Sequence, residues 1–146
     1  MLMDIPAGNS LADPYGGDEQ PPYPWRGRMS LDLCETMAGT ADRTAKARSD
    51  IEVFVGKASP ADFTWEGDRL AYRGPDEWSY RRMIFHQAHL AAKAGVDAFV
   101  IGSEMRGLTR LRDGEGRFPF VEALIVIAEE VKALLPQAVS MSTISL

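Results

Sequence analysis

Apolar positions along the chain repeat with three different spacings. Between Asp76 and Ala94, Trp78, Ile84, Phe85, Ala88 and Ala92 recur near the helical period. Asp76 is placed to cap this helix and Gly95 to end it. A second helix is predicted from Phe118 to Leu135, with Phe120, Leu124, Ile127, Ala128 and Val131 on one side and Pro136 as its stop. A third runs from Thr40 to Val55: Thr40 is the expected N-cap, Ile51, Phe54 and Val55 form a short stripe, and Gly56 suits the C′ position. Lys46, Arg48 and Asp50 then form a solvated face. From Phe63 to Tyr72 the spacing changes to two, Phe63 and Trp65 alternating with polar residues as do Leu70 and Tyr72. With Glu66-Gly67-Asp68 as the turn, this reads as a hairpin inserted on a larger scaffold. Val96 to Gly102 holds the continuous run Ala98-Phe99-Val100-Ile101, the pattern of a parallel strand buried on both faces. Ala138 to Leu146 reads as another strand.

The first residues, Met1-Leu2-Met3 before Asp4-Ile5-Pro6, read as the end of a buried strand. Gly16-Gly17 and Pro21-Pro22-Tyr23-Pro24 then mark an irregular loop with polyproline character, spanning about residues 7–39. Tyr15, Tyr23 and Trp25 in it either line a sugar subsite or pack the loop against the body. Helices joined to strands by short connections indicate an α/β domain with a parallel sheet.

Composition narrows the classes. The 146 residues are 45% hydrophobic and 25% charged, which suits one globular domain. A net charge of −5 without a basic run gives no electrostatic reason to bind nucleic acid or an anionic membrane. Cys34 is the sole cysteine, so an intramolecular disulfide is excluded and a cysteine zinc site is unsupported. The N-terminus lacks the pattern of a signal peptide, and no window has the apolar length of a membrane helix. The expected location is the cytoplasm or a particle assembled there.

The sharpest chemical feature is Ile101-Gly102-Ser103-Glu104-Met105-Arg106. The strand turns polar as it ends, and in parallel α/β barrels the C-terminal strand ends form the active-site face. A carboxylate there can lie at the floor of a pocket and serve as a general acid; alternatively Glu104 begins a loop and pairs with Arg106 or Arg110. Asp4 holds a comparable strand-end position, either binding a substrate hydroxyl or capping a turn. His86 and His89 are three apart on one helix, where packing or exposure is the expectation rather than a metal site. There is no phosphate-binding glycine loop and no nucleophile elbow, and no cofactor is implied.

Several blocks in order resemble the TIM-barrel-like domain of gene transfer agent tail proteins. They are Asp4-Ile5-Pro6-Ala7-Gly8-Asn9, Tyr23-Pro24-Trp25-Arg26-Gly27-Arg28, Glu77-Trp78-Ser79-Tyr80-Arg81-Arg82, Val96 through Thr109, and Phe118-Pro119-Phe120-Val121. The resemblance implies a glycoside-hydrolase-like (β/α)8 barrel in a phage or prophage tail protein that determines host specificity. Its partners would be cell-surface carbohydrate or peptidoglycan and other tail proteins. It implies Glu104 as the acid/base carboxylate, with Asp4, Trp25, Arg26, Ser103 and Arg106 as substrate-binding residues. A full barrel takes about 250 residues, so the expectation is one partial domain over residues 1–146, truncated at both ends. Glycosidases use two carboxylates about 5 to 9.5 Å apart, and the late strand that carries the second in such barrels is not in this sequence. Hydrolase activity is therefore implied for the parent domain and not for this chain alone. The alternative is a non-catalytic structural or glycan-binding module of the tail.

Overall fold

Phe120, Leu124, Ile127 and Val131 lie on one face of a helix, and all four are buried in the computed structural model. The structure describes residues 37–138 in full, and the backbone alone of residues 2–4, 24–26 and 139–142. In chain order the elements are β1 (Leu2–Asp4), β2 (Pro24–Arg26), α1 (Ala45–Val55), a 3₁₀ turn (Pro60–Asp62), β3 (Phe63–Glu66), β4 (Arg69–Tyr72), α2 (Tyr80–Ala94), β5 (Ala98–Gly102), α3 (Arg106–Thr109), α4 (Pro119–Leu134) and β6 (Val139–Ser142). Helix α4 is the hub: α1, α2, α3, β5 and β6 all pack against it. Ala47, Ile51 and Val55 face it from α1, and Ile84, Phe85 and Ala88 join the same core from α2. Full burial of each large side chain contributes about 1.5–3 kcal/mol.

Strands β5 and β6 pair in parallel, Ala98 opposite Val139 and Val100 opposite Met141. With α3 and α4 between them they form the β–α–β unit expected from the sequence. A register irregularity falls between Val100 and Gly102. The hairpin is as expected, β3 pairing antiparallel with β4 from Phe63–Tyr72 to Glu66–Arg69. It joins no other strand and lies on α2, where Phe63 meets the His89 ring at 5.4 Å. His89 Nε2 donates to the Pro60 carbonyl at 3.0 Å. His86 and His89 are thus packing residues, and the described residues hold no cluster of three or more metal-ligating side chains.

Five expectations are corrected. Helix α1 begins at Ala45, not near Thr40, whose hydroxyl instead accepts from the Asp42 backbone in a preceding turn. Helix α2 begins at Tyr80, because Ser79 rather than Asp76 accepts from the Arg82 backbone N–H. Trp78 therefore precedes the helix and is exposed, and Ala91 rather than Ala92 faces the core. Strand β5 is covered on one face only: Ile101 is buried, but Val100 is 49% exposed. Arg48 is not simply solvated, since it bonds Asp113 and Glu122. Within the long loop, β2 pairs antiparallel with β1, Asp4 opposite Pro24 and Met3 opposite Trp25. These strands form a sheet of their own and do not extend the β5–β6 pair. Cys34 and Tyr15 lie outside the described residues.

Two buried carboxylates fasten the turn before α1 to the loop before α4. Asp42 accepts from the Arg112 backbone N–H at 2.7 Å and from Nε and Nη2 of its guanidinium. Asp113 accepts from the backbone N–H groups of Glu115 and Arg117, each at 2.9 Å, and from the guanidinium groups of Arg48 and Arg117. The Arg112 guanidinium holds the Asp42 carboxyl below its ordinary value. Burial alone would raise Asp113, but the Arg117 backbone N–H and the Arg48 guanidinium outweigh it and hold that carboxyl well below the usual range.

Groups with depressed folded-state values stabilise fully above the unfolded-state value, near about 4, and lose that contribution as pH falls through the folded-state value. The melting temperature is therefore expected to drop as pH falls from about 5 toward about 2. The Asp42→Asn/Asp113→Asn chain should melt lower at neutral pH and show a flatter acid limb in circular-dichroism melts. Parallel acid limbs for the two proteins would contradict the assignment.

Candidate functional site

Strand β5 ends at Gly102, and the chain turns sharply through Ser103, Glu104 and Met105 into α3. Met105 and Leu108 are buried and anchor the turn from below. Ser103 and Arg106 are exposed, and Glu104 is half-buried. Glu104 has a φ of +58°, a left-handed conformation that costs a non-glycine residue roughly 1–2 kcal/mol. Among the described residues its carboxylate makes no hydrogen bond and no ion pair, so the pairing with Arg106 or Arg110 is not formed.

The turn is held from α2. The Tyr80 hydroxyl donates to the Ile101 carbonyl, at the register irregularity of β5. Irregularities of this kind re-aim side chains near strand ends. The Tyr80 ring stacks on Phe54 at 5.4 Å and meets Phe120 at 5.7 Å, while Phe54 and Phe120 lie 5.9 Å apart. One ring from each of α1, α2 and α4 thus fixes the hydroxyl. Gly102 gives room where the strand passes it: a Cβ there would stand a tight 3.2 Å from the Tyr80 oxygen. Burial pushes the Tyr80 hydroxyl up to about 12.

Helix α2 is itself seated by Glu77, whose carboxylate accepts from the Lys57 and Ala58 backbone N–H groups at 2.8 and 2.9 Å and from the Ser79 hydroxyl at 2.6 Å. Gly56 is required at that junction: its φ is +76°, and a Cβ would meet Ser79 Cβ at 2.2 Å. Arg81 adds a tie to α4 through Glu130 at 2.6 Å. Tyr80, Glu77 and Gly56 were not among the predicted site residues; Gly56 was legible as a helix end, but nothing in the spacing of Glu77 and Tyr80 shows what the carboxylate and hydroxyl reach.

Of the predicted residues, Ser103, Glu104 and Arg106 share one turn. Asp4, Trp25 and Arg26 lie on the β1–β2 pair, in a sheet separate from that of Glu104. A groove of about 770 Å³ opens elsewhere, between the hairpin and the first half of α2, and Glu104 does not line it.

Replacing Tyr80 by Phe keeps the ring and removes the bond to Ile101, with an expected loss of about 1–3 kcal/mol in denaturant unfolding at neutral pH. A tyrosine with a raised folded-state value stabilises fully below about 10 and loses that contribution as pH rises through about 12. The gap between wild type and Tyr80→Phe should therefore narrow over that range. A gap independent of pH would count against the buried hydroxyl.

No helix among the described residues is long and apolar enough to cross a membrane. No curated protein and no solved structure matches the chain. Residues 78–144, from the start of α2 through the Glu104 turn to β6, match the model of the GTA TIM-barrel-like domain, so the segment that builds the strand-end turn is similar to that family.

Proposed function

We propose that the chain contributes a glycan-engaging strand-end site to a barrel-like domain of a phage-like tail, with Glu104 as the residue that meets the sugar. The observation that carries this reading is the Glu104 carboxylate itself: half-buried, without a hydrogen bond or ion pair among the described residues, and held in a costly backbone conformation at the end of β5. A free carboxylate on a fixed turn is suited to accept hydrogen bonds from sugar hydroxyls. Strain of this kind persists where surrounding structure over-determines it, which is common at ligand sites. The match over residues 78–144 to the GTA TIM-barrel-like domain supports the barrel context. The tail location and the host-surface glycan are what the sequence resemblance implies, and the role of Glu104 is supported by the geometry of the turn.

Binding is favoured over hydrolysis. Hydrolysis needs a second carboxylate across the scissile bond, and Asp4 is on a strand that does not pair with β5 or β6. Ser103 and Arg106 flank Glu104 on the same exposed turn and can donate to the same ligand.

The test is cosedimentation of the full chain with purified peptidoglycan, with an assay for released reducing ends. Glu104→Gln is expected to weaken binding about tenfold or more, as loss of a charge-assisted hydrogen bond predicts, and neither protein should release reducing ends. Equal binding by both proteins would remove Glu104 from the site, and hydrolysis by the wild type that Glu104→Gln abolishes would make it catalytic.

A further inference from the structure

The groove beside α2 has the composition of a ligand site in its own right. Its volume of about 770 Å³ falls within the range of small-molecule pockets, and its wall is mostly apolar and aromatic. At its mouth Trp78 is 92% exposed. The Arg82 guanidinium lies between the Tyr72 and Trp78 rings, 4.1 Å from each centroid. Arg82 is fixed in turn by donating to the Glu77 carbonyl at 2.6 Å, and the Tyr72 hydroxyl donates to the Pro75 carbonyl at 2.9 Å. One indole face is thus occupied by a clamped cation while the residue stands open to solvent. The cation contact favours this placement of the indole by about 0.5–1 kcal/mol, the worth of such a contact at an exposed site.

Charge then selects the ligand. Arg69, His86 and Gln87 line the same groove, and among the described residues their side chains make no hydrogen bond or ion pair. Among the described residues no carboxylate lines it, although the chain as a whole carries a net charge of −5. Arg69 sits opposite Glu66 on the hairpin without an ion pair to it, and His86 packs on Phe63 with no hydrogen bond from its ring nitrogens among the described residues. Donors of this kind beside a flat aromatic face fit a ring that offers C–H groups on one side and anionic or hydroxyl oxygens at its edge. We infer that this groove binds an acidic saccharide, a sugar ring stacking on the open face of Trp78 with its carboxylate toward Arg69. The site is distinct from the Glu104 turn and does not depend on the reading of that turn.

The test is a titration of the full ¹⁵N-labelled chain with tetragalacturonate, with maltotetraose as the neutral control of equal length, followed at the tryptophan indole N–H resonances. The Trp78 resonance should shift, and the acidic saccharide should bind about tenfold more tightly than the neutral one, the worth of one charge-assisted contact. Trp78→Ala, which removes an exposed side chain, should abolish the acidic saccharide's shifts of the backbone amides that line the groove, and Arg69→Gln should erase the acid preference. Glu104→Gln should leave it unchanged, so failure here and failure at the strand end are distinguishable. The inference is overturned if the Trp78 resonance does not move up to about 10 mM ligand, an affinity near the limit of specific binding. It is also overturned if maltotetraose binds equally well, or if protein dilution alone shifts Trp78 and Trp78→Ala stops self-association, which would assign the groove to a second copy.

Discussion

The bond from the Tyr80 hydroxyl to the Ile101 carbonyl is the point on which the rest of the structure converges. It needs a phenol oxygen at one place, and that place is set by three stacked and tilted rings, one from each of α1, α2 and α4. It is accommodated by a strand that carries no side chain where it passes the oxygen, since a Cβ at Gly102 would crowd it at 3.2 Å. Packing of the helices and placement of the strand end are therefore one constraint. A change in the helix core that moves the Tyr80 ring also moves the backbone just before Glu104.

The carboxylates divide by what surrounds them. Asp42, Asp113 and Glu77 are spent on backbone N–H groups and guanidinium groups, tying segments far apart in the chain. Each is satisfied, which is the condition for burying a charge without a large penalty. Surface pairs such as Lys46–Asp50 and Lys93–Asp68 contribute little by comparison. Glu104 belongs to neither group, being half-buried with no partner among the described residues. The basic side chains repeat the division: Arg48, Arg81 and Arg112 hold the fold, whereas Arg69, opposite Glu66 on the hairpin, makes no ion pair among the described residues and lines the groove.

Helix periodicity, the hairpin and the parallel β5–β6 pair were legible because each depends on local spacing and turn chemistry. The start of α2 was not. Asp76 and Ser79 are both good caps in isolation, and the choice falls to Ser79 because Glu77 is drawn back to the loop after α1. The exposure of Val100 was hidden for a similar reason, since a continuous apolar run does not say how many faces a strand has covered. At the site, the change from apolar to polar after Gly102 pointed to Glu104. The left-handed conformation of Glu104 and its support by Tyr80 depend on a contact between residues 21 apart. The Trp78 groove required the hairpin to dock on α2, which no spacing within either element encodes.

Glu104 is held in a conformation that its own side chain disfavours. The direct measurement is the stability of Glu104→Gly against Glu104→Ala by denaturant unfolding. Alanine keeps the penalty of a Cβ at a φ of +58°, and glycine removes it, so the glycine variant should be the more stable by about 1 kcal/mol despite its greater unfolded-state freedom. An alanine variant as stable as the glycine variant, or more so, would mean that the turn is not strained and that Glu104 is an ordinary loop residue.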